Sequence, residues 1–533
     1  MKRRCSRKIR RWPRTYSKNE KENKGALTLL SVFLFVIFAT LGLGMLYLTQ
    51  VYVKISAYRK NTMLLEYASE NGIKQGYDYL IGLLSPASSP VVLAEEEVSQ
   101  LLEDSLSGGN AAVRRVLGNE LPVILEDCWE RLGWESLTDF QLIRIHEEQA
   151  YFRVDYRGRI ASTGRIQGFE PAKAAFLDSR LELLAGHVPL PAMAFLVDKA
   201  MTPDQKKDFL EENKIHLVPS QQTDIPPPVI FSDGSLLPQD AGQQLGKALK
   251  IEIFHPQDLS AAKLRLALGL EVIDEPVPDG VYLVQDDLGL GGVFVQGDLD
   301  EMVLAIKGKY QVIAFRQGED FWVLRFSPEE GRTCFTGPDE IQTFDLVPLG
   351  IIIVNGKVLS LGGGYEDAEG QILMSVQEEV PCVKQGVSLT IISSDEITLS
   401  SHLIYQGVTW REGVPYIKDS DSQLVIHAAG HDFATGEERA GEIIIGEGSP
   451  DNLEIHGSLS ASGQGVAVSG EDKKIHLLGS LQTSELSLNG NEISVKFDER
   501  FFEKGSGYFQ NAPLSEQPLL YLFRFKLTEW RND

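Results

Sequence analysis

Residues 26–53 read ALTLLSVFLFVIFATLGLGMLYLTQVYV, and none of these 28 residues is charged. At a rise of about 1.5 Å per residue, a helix of this length measures about 42 Å. The hydrocarbon core of a bilayer is only about 30 Å thick, so such a helix spans it with tilt or protrudes from it. The sequence therefore predicts one membrane-spanning helix near the N-terminus.

The length of this run argues against a cleaved secretory signal peptide. The apolar region of a signal peptide has about 7 to 15 residues and ends in small residues at the cleavage site. This run is about twice that length and ends in Val51, Tyr52 and Val53, followed by Lys54. A permanent membrane helix is the better interpretation.

The charges are distributed unevenly along the chain. Residues 1–24 contain eleven Lys or Arg and two Glu, a net charge of +9, whereas the whole chain carries −24, which leaves −33 on the remainder. A basic segment before an apolar run places the N-terminus in the cytoplasm and the rest of the chain across the membrane. Because the outer part is acidic, it lacks the basic surface that phosphate neutralisation requires, and we expect no nucleic-acid partner.

The helical pattern continues beyond Lys54. Residues 55–81 contain no Pro, and their apolar side chains recur at roughly helical spacing. This stripe consists of Ile55, Tyr58, Leu65, Ala68, Ile73, Tyr77 and Leu80. We predict one helix over residues 26–81, and its outer half needs a globular domain packed along the stripe.

The N-terminus resembles the type IV pilin-like family and, within it, the PilX-like minor pilins and pilus assembly proteins. The resemblance rests on residues 24–30 (KGALTLL) and on residues 68–73 (ASENGI), which are similar to the Ala-x-Glu-x-Gly turn of that group, and it covers about residues 20–81. In this family a prepilin peptidase cleaves after the Gly, and the released helix packs among like helices. The resemblance thus implies a processing site at Lys24, Gly25 and Ala26.

One position departs from the pattern of the family. Major pilins carry Glu five residues into the mature chain, where this sequence has Leu30. A buried carboxylate in an apolar bundle is costly unless it is paired, so Leu30 removes one contact with the preceding subunit. This departure and the length of 533 residues favour a minor or tip-located subunit over the shaft. The partners that the resemblance implies are other pilin-like subunits, the inner-membrane pilus assembly platform, the prepilin peptidase and the lipid bilayer.

The composition is that of a globular chain with about three domains. We divide it into a basic cytoplasmic leader (1–25), the transmembrane and extended N-terminal helix (26–81), a pilin-like α+β domain (82–170), a mixed connecting region (171–279) and a β-rich repeat-like domain (280–533). The fold class is α+β: a long N-terminal transmembrane and amphipathic helix, a small pilin-like domain, and a β-rich C-terminal region.

A loose repeat of an apolar residue, any residue, Gly, any residue and an apolar residue marks the β-rich region. It occurs at residues 295–299, 354–358, 455–459 and 477–481, and residues 466–470 also match residues 486–490. Short apolar strands closed by Gly at intervals near 20 residues fit the coils of a parallel β-helix. Antiparallel hairpins are the alternative, because Asn-Gly also suits their tight turns.

No residues form a convincing catalytic or metal site in the sequence. His427 and His431 are four positions apart, but Gly430 and the strand-like residues before it indicate a loop, whereas chelation at this spacing needs a helix. The glycine cluster at residues 361–365 lacks the helix start and Lys of a phosphate-binding loop and predicts a flexible turn. We expect no enzymatic activity, no cofactor and no metal.

The acidic residues leave one alternative open. Asp395-Glu396 and Asp498-Glu499 are adjacent pairs, and adjacent side chains on a strand point to opposite faces, so adjacency makes neither a catalytic carboxylate pair. A membrane-anchored carbohydrate-active β-helix enzyme would require distant acids to converge in a groove.

The cysteines of the outer part suggest one disulfide bond. Cys5 lies on the cytoplasmic side of the predicted span, which leaves Cys128, Cys334 and Cys382 where oxidation is permitted. Cys334 and Cys382 both fall in the β-rich region and form the candidate disulfide, with Cys128 left free.

We interpret the chain as a non-enzymatic structural subunit or assembly factor of a type IV pilus or pseudopilus. It would be a single-pass membrane protein with a cytoplasmic N-terminus and its bulk in the periplasm or outside the cell, where the β-rich part caps the filament or adheres to a surface. The alternatives are the carbohydrate-active enzyme and a plain single-pass surface protein that never leaves the bilayer.

Overall fold

The computed structural model describes most of the chain after the basic segment. The described residues are 23–84, 90–107, 109–117, 121–129, 131–148, 150–199, 201, 203–218, 229–231, 236–238, 241–253, 258–273, 275–411, 414–417, 420–498, 500 and 511–532. Helices in these residues are α1 (Asn23–Leu84), α2 (Glu95–Leu106), α3 (Ala111–Leu117), α4 (Pro203–Glu212), α5 (Gly242–Leu249) and α6 (Ala261–Ala267), and a 3-10 turn covers Leu190–Ala192.

Helix α1 is one uninterrupted helix of 62 residues, as the sequence predicts. It contains no Pro, and it ends two residues before Pro86. In the described chain, Thr28–Leu84 is the one helix long and apolar enough to cross a membrane, and the apolar window within it has a mean hydropathy of 2.5. The first buried apolar side chain of α1 is Leu65. Ile55 and Tyr58, which the predicted stripe included, are about half exposed.

The outer part of α1 packs on a first, antiparallel sheet. Its strands are β1 (Val91–Val92), β2 (Val123–Trp129), β3 (Leu132–Glu147), β4 (Tyr151–Ile166), β5 (Phe169–Gly186) and β32 (Leu519–Asn532), arranged in the order β1-β32-β5-β4-β3-β2. Ile73, Leu80 and Leu84 of α1 share a buried cluster with apolar residues of this sheet and of α2 and α3. We call α1 from Leu65 onward, α2, α3 and this sheet the helix–sheet unit.

The predicted boundary of the pilin-like domain at residue 170 needs correction. It falls inside β5, which continues to Gly186, and the C-terminal strand β32 returns to pair with β5 over most of its length. The reason is that Leu181 and Leu183 of β5 and Phe525 of β32 bury their side chains in the same core as α1. The chain therefore leaves the helix–sheet unit after β5 and closes it with its last strand.

The contact between α1 and the first sheet is made by small residues. A Cβ atom at Gly72 would clash with the Ser162 side chain and lie 2.8 Å from the Trp134 ring, and one at Gly76 would lie 2.7 Å from Ser136 Oγ. From the sheet side, a Cβ at Gly164 would clash with the backbone carbonyl of Leu65. The motif at residues 68–73 therefore lies where the helix backbone comes closest to the sheet.

Residues 187–518, which we call the β-rich unit, contain two large sheets. The second sheet contains β6 (Phe195–Val197), β7 (Ile215–Val218), β8 (Val229–Phe231), β9 (Gly280–Asp286), β10 (Gly289–Gln296), β16 (Ile351–Asn355), β20 (Ser388–Ser393), β25 (Gln423–Ala428), β27 (Asn452–Ala461), β29 (Lys474–Thr483) and β31 (Glu492–Lys496). The third sheet contains β11 (Glu301–Lys307), β12 (Tyr310–Gln317), β13 (Asp320–Ser327), β14 (Arg332–Thr336), β15 (Ile341–Phe344), β17 (Val358–Glu366), β18 (Ile372–Met374), β21 (Ile397–Leu399), β26 (Glu442–Ile445), β28 (Gly465–Val468) and β30 (Leu486–Ser487). Two separate two-stranded sheets complete the β-rich unit: β19 (Pro381–Val383) with β22 (Ile404–Tyr405), and β23 (Val408–Arg411) with β24 (Val414–Ile417).

From β16 to β31 the chain passes back and forth between the second and third sheets. Successive strands within each sheet pair in parallel, as in β16-β20-β25-β27-β29-β31 and β17-β21-β26-β28-β30. Their inward apolar side chains form one continuous core, in which residues such as Ile455, Leu477 and Ile443 are completely buried. This layered pairing gives the region a mainly β character, as predicted.

The sequence repeats are neighbours in this register. Val295 pairs with Val354, Gly457 with Gly479, and Val466 with Leu486. Gly479 has a φ of +150°, and a Cβ there would clash with the carbonyl oxygen of Gly457 in the next strand. The Gly of the repeat is therefore required by the close stacking of adjacent strands.

Antiparallel hairpins also occur, in a different part of the chain. Strands β9 and β10 pair antiparallel, and β11 to β15 form an antiparallel meander. Gly308 and Gly318 have positive φ angles in its tight turns. Of the predicted connecting region, 171–279, the structure assigns β5 to the first sheet and β6 to β8 to the second sheet, and α5 packs on β10 and β16.

We predict that replacing Gly72 by Ala destabilises the helix–sheet unit by about 1 to 2 kcal/mol, because the new methyl group overpacks the contact with Ser162 and Trp134. The matched control is Gly82→Ala in the same helix, where a Cβ would meet nothing within 4 Å. That change should be neutral or stabilise the helix by up to about 1 kcal/mol. Hydrogen exchange measured by mass spectrometry should show lower protection of α1 and β4 in Gly72→Ala than in Gly82→Ala. Equal protection in both variants would contradict the close contact.

Candidate functional site

Exposed apolar side chains are concentrated in the N-terminal part of α1, residues 28–64, which we call the free half of α1. Its apolar side chains contact little of the rest of the chain: Phe35 is 73% exposed, and Leu30 and Tyr52 are also exposed. Hydroxyl groups within the apolar run bond to the helix itself, since Thr40 Oγ1 donates to the Val36 carbonyl (2.8 Å) and Thr49 Oγ1 to the Met45 carbonyl (2.8 Å). A helix with satisfied polar groups and an apolar surface suits lipid or other apolar helices.

The candidate processing residues lie at the start of this surface. Lys24, Gly25 and Ala26 belong to the first turn of α1, and their side chains lie outside the described ones. Leu30, at the position of the pilin carboxylate, is 57% exposed and contributes an apolar side chain to the surface. Farther along, a Cβ at Gly42 or Gly44 would meet nothing within 4 Å, so the helix backbone is accessible there to a neighbouring helix.

The second notable surface lies on the first sheet, on the face opposite α1, and we call it the charged face. Three successive rows across strands β3, β4, β5 and β32 carry eleven of its charged residues. The rows are Asp139, Arg159, Asp178 and Glu529; then Gln141, Arg157, Arg180 and Lys526; then Arg144, Asp155, Glu182 and Arg524. A basic row therefore lies between two rows that hold the buried acids.

Asp178 connects several arginines on this face. Its carboxylate accepts hydrogen bonds from Arg157 Nη2 (2.7 Å), Arg159 Nε (2.8 Å) and Arg531 Nη2 (2.5 Å). Burial alone would raise the pKa of Asp178, but these hydrogen bonds from Arg159, Arg157 and Arg531 outweigh it and hold the pKa well below its usual range. Like charges on neighbouring strands, such as Arg157 and Arg180, are tolerated because acids lie diagonally between them.

In the third row, the pKa values of the two buried acids, Asp155 and Glu182, shift in opposite directions. Asp155 is paired with Arg153 (3.0 Å) and Arg180 (2.8 Å), and although burial opposes it, these partners lower its pKa. Glu182 is fully buried, and burial is the main reason that its pKa is raised. The charged face thus acts as a self-paired polar layer that fixes the arrangement of β4, β5 and β32.

A third group lies around β27 of the second sheet, with both of its histidines buried, and we call it the Glu454 patch: Glu379, His402, Trp410, Glu454 and His456. Trp410 Nε1 donates to His456 Nε2 (2.8 Å), and the backbone N–H of Glu454 donates to His402 Nδ1 (3.1 Å). Burial, with a contribution from the Glu379 carboxylate, raises the pKa of Glu454 to about 7. Burial also lowers the pKa of His456 to about 3, so this imidazole is a neutral hydrogen-bond acceptor.

The histidine pair considered in the sequence does not form a chelating arrangement. His427 lies on β25 and is completely buried, with Nδ1 3.1 Å from Ser460 Oγ, and burial lowers its pKa to about 3. His431 follows in a bridge to Glu438. Within the described ranges there is no group of three or more His, Cys, Asp and Glu that could hold a metal ion.

The glycine cluster at residues 361–365 is a strand and not the predicted turn. It lies in β17, and Gly363 and Gly364 pair with Leu304 and Ala305 of β11. A Cβ at Gly364 would clash with the carbonyl oxygen of Leu373. Neighbouring backbones therefore approach so closely that only glycine fits, which the sequence alone could not distinguish from turn flexibility.

The candidate disulfide between Cys334 and Cys382 is also corrected, because both residues are free thiols, as is Cys128. Cys334 lies half-buried on β14, whereas Cys382 is fully buried on β19 and its Sγ accepts the N–H of Ile404 (3.2 Å). Burial raises the pKa of the Cys382 thiol to about 12, so the reactive thiolate is scarce. Cys5 lies outside the described residues.

The adjacent acids serve structural roles. Asp395 Oδ1 accepts the N–H of Ala440 (3.2 Å), and Glu396 pairs with Lys357 (3.2 Å). Asp498 binds the guanidinium of Arg500, and Glu499 lies outside the described residues. None of these contacts brings the two acids of a pair together in a groove.

Sequence reasoning did not identify the charged face or the Glu454 patch. The alternation Arg153, Asp155, Arg157, Arg159 was a usable signal for the charged face, because residues two apart on a strand share a face. No such signal exists for the Glu454 patch, since His402 and Glu454 are 52 positions apart and meet only through strand stacking.

We predict that Asp178→Asn costs about 2 kcal/mol of stability at pH 7, because three arginines then share no carboxylate. The pKa of Asp178 is lower in the folded than in the unfolded chain, so its contribution is fully present above about pH 4 and declines as the pH falls toward the folded pKa. Urea unfolding at pH 7 and pH 3 should show a smaller difference between wild type and variant at pH 3. Asp139→Asn, an exposed change on the same row, is the control and should stay within about 0.5 kcal/mol of wild type; an equal loss in both variants would refute the role of Asp178.

Comparisons of the chain with protein-family models, with curated proteins and with solved structures find no match. Its function must therefore be inferred from its own residues and their arrangement.

Proposed function

We propose that the protein is a non-enzymatic structural subunit or assembly factor of a type IV pilus or pseudopilus, resembling the PilX-like minor pilins. The observation that carries the proposal is the division of α1 into two halves. Residues 28–53 of the free half are uncharged and mostly exposed, whereas the helix from Leu65 onward packs on an antiparallel sheet. Such a helix can pass from lipid into a bundle of like helices without any change in its own conformation.

The proposed topology follows from the excess of Lys and Arg before the apolar run of α1. Residues 1–24 carry +9 and residues 25–533 carry −33, so the basic end stays in the cytoplasm and the bulk lies outside the cytoplasmic membrane. The uncharged part of the free half, up to Val53, spans the bilayer before assembly. Its partners are other pilin-like subunits, the inner-membrane assembly platform and a prepilin peptidase acting at Lys24, Gly25 and Ala26.

For the β-rich unit we propose a parallel β-helix that serves capping or adhesion. The support is the alternation of the chain between two sheets from β16 to β31, with parallel pairing in each. The register of Gly457 with Gly479 and of Val466 with Leu486 gives coils of about 20 residues, as such a fold requires. A chain of 533 residues is bulky for a repeating shaft subunit, which agrees with a minor or tip position.

The decisive experiment is N-terminal sequencing and intact-mass measurement of the native protein. We expect a chain that begins at Ala26 and copurifies with filaments. Gly25→Val should leave residues 1–25 attached and exclude the protein from filaments, whereas Gly42→Val, the same change within the span, should still be processed. A native chain that begins at Met1 and is found only in the membrane fraction would overturn the pilus proposal and leave a plain membrane-anchored protein.

A second candidate function is carbohydrate cleavage by the β-rich unit, and the Glu454 patch is the observation that favours it. Burial and the Glu379 carboxylate raise the pKa of Glu454 to about 7, so Glu454 is an acid that is partly protonated at neutral pH. It lies two residues before His456, which accepts a hydrogen bond from Trp410. A pair of acids such as Glu454 and Glu379 can divide the roles of acid and base at a glycosidic bond.

This candidate predicts release of reducing ends from a polysaccharide panel, with activity declining as the pH rises above 7, because Glu454 loses its proton there. Glu454→Gln should lower the rate at least about 100-fold. Asp451→Asn, an exposed change just before β27, should leave it unchanged. If the folded protein turns over none of these substrates, the enzyme candidate is wrong and only the proposed structural role remains.

A further inference from the structure

We infer that two hairpin tips of the helix–sheet unit rest in the headgroup layer of the bilayer while α1 spans it. The tips consist of Trp129, Arg131 and Leu132, between β2 and β3, and of residues 166–169, between β4 and β5, and we call them the membrane-side tips. The inference rests on the proposed membrane span of α1, but it requires neither processing at Gly25 nor assembly into a filament.

The direction of the strands places these tips at the membrane end of the sheet. Strand β4 runs antiparallel to α1, because Gly164 approaches Leu65 whereas Gly76, farther along α1, approaches Ile160. The end of β4 at Ile166 therefore points back along α1 toward the span. The two tips are joined there, since Leu132 pairs with Ile166 and the N–H of Gln167 donates to the carbonyl of Arg131 (2.9 Å).

A direct contact fixes the height of the tips above the span. The rings of Tyr58 on α1 and Phe169 at the second tip have their centroids 5.5 Å apart. Tyr58 lies four residues after Lys54, the first charged residue beyond the apolar run, which is about 6 Å along the helix. The headgroup layer on each side of the hydrocarbon is about 5 to 7 Å thick, so the tips reach that layer when the hydrocarbon boundary lies at Lys54.

The apolar residues before Lys54 favour this boundary. Tyr52 and Val53 are 79% and 62% exposed, so withdrawing the last turns of the run from the bilayer would leave them in water. A run of about 42 Å exceeds a core of about 30 Å, so the helix tilts and its cytoplasmic end protrudes; tilting toward the side that carries the sheet lowers the tips onto the surface. No conformational change in the helix–sheet unit is needed.

The side chains at the tips suit the membrane interface. Trp129 is 76% exposed at the first tip, and Trp is enriched at the headgroup level because its ring is amphipathic. Arg131 is exposed beside it, and Arg59 and Lys60 of α1 lie next to Tyr58, so cationic groups are available for lipid phosphates. Among the described residues the acids in this area are Glu126, Asp127, Glu135 and Glu170, and Glu135 is paired with Arg165 (2.9 Å); Glu130, between Trp129 and Arg131 in the sequence, lies outside the described residues.

The distribution of charge over the outer part agrees with this orientation. The β-rich unit, residues 187–518, has 23 Lys or Arg and 51 Asp or Glu, a net charge of −28. An anionic leaflet repels such a unit. The helix–sheet unit can approach the membrane, and its tips then hold the acidic unit away from the surface.

The experiment uses the full chain in nanodiscs of phosphatidylethanolamine and phosphatidylglycerol, with a nitroxide on Cys128, which is exposed next to Trp129. Cys5→Ser and Cys334→Ser restrict labelling to this site, since Cys382 is buried. A nickel-chelating lipid, which carries the metal at the headgroup level, should relax the nitroxide on Cys128 strongly. The matched control is a nitroxide at Glu148→Cys, in a Cys128→Ser background, at the hairpin between β3 and β4 about 50 Å away along the sheet, and it should be unaffected.

Two further variants separate this inference from the proposed span. A nitroxide at Tyr47→Cys should be accessible to oxygen but not to a water-soluble nickel complex, and failure of this result would refute the span itself. Trp129→Ser should reduce the relaxation at Cys128 severalfold, whereas Trp530→Ser, an exposed Trp away from the tips, should not. If the Tyr47 label lies in the bilayer and the Cys128 label is no more relaxed than the Glu148 label, the membrane-side tips do not touch the headgroups and the inference is wrong.

Discussion

The close approach of α1 to the first sheet is the contact on which the arrangement of the chain depends. Gly72 and Gly76 on the helix and Gly164 on β4 leave no room for a Cβ atom, so the two backbones pack at a distance that larger residues would prevent. This contact fixes the direction of a 62-residue helix relative to the globular part. It also divides the helix into a buried half and a free half, and the proposed function follows from that division.

The second organising constraint is the return of the last strand. Because β32 pairs with β5, the whole β-rich unit is inserted between two neighbouring strands of the first sheet. Its two attachment points are therefore close together, and the charged face links β4, β5 and β32 through Asp178 and Arg531. A large outer unit can thus be carried on a small helix–sheet unit without a flexible terminal linker.

The stacked strands of the β-rich unit depend on register. A one-residue slip would move an inward apolar side chain such as Ile455 to the outer surface, so the core itself holds the register. The same register brings His402 beside Glu454 and creates the patch of perturbed acids and histidines. Structural order and any chemistry at that patch therefore have the same origin.

The sequence by itself determined the local features: the long helix from its uncharged run, the β-rich character of the second half, and the repeats around Gly457 and Gly479, because each depends on periodicity within a few residues. Tertiary structure decided what depends on distant residues. The domain boundary at 170 failed because the partner of β5 lies more than 330 positions later. The bridge between Cys334 and Cys382 failed because the two residues lie on strands of different sheets and both are free thiols. Periodicity shows which face of a strand is apolar, but only packing selects the strand that lies beside it.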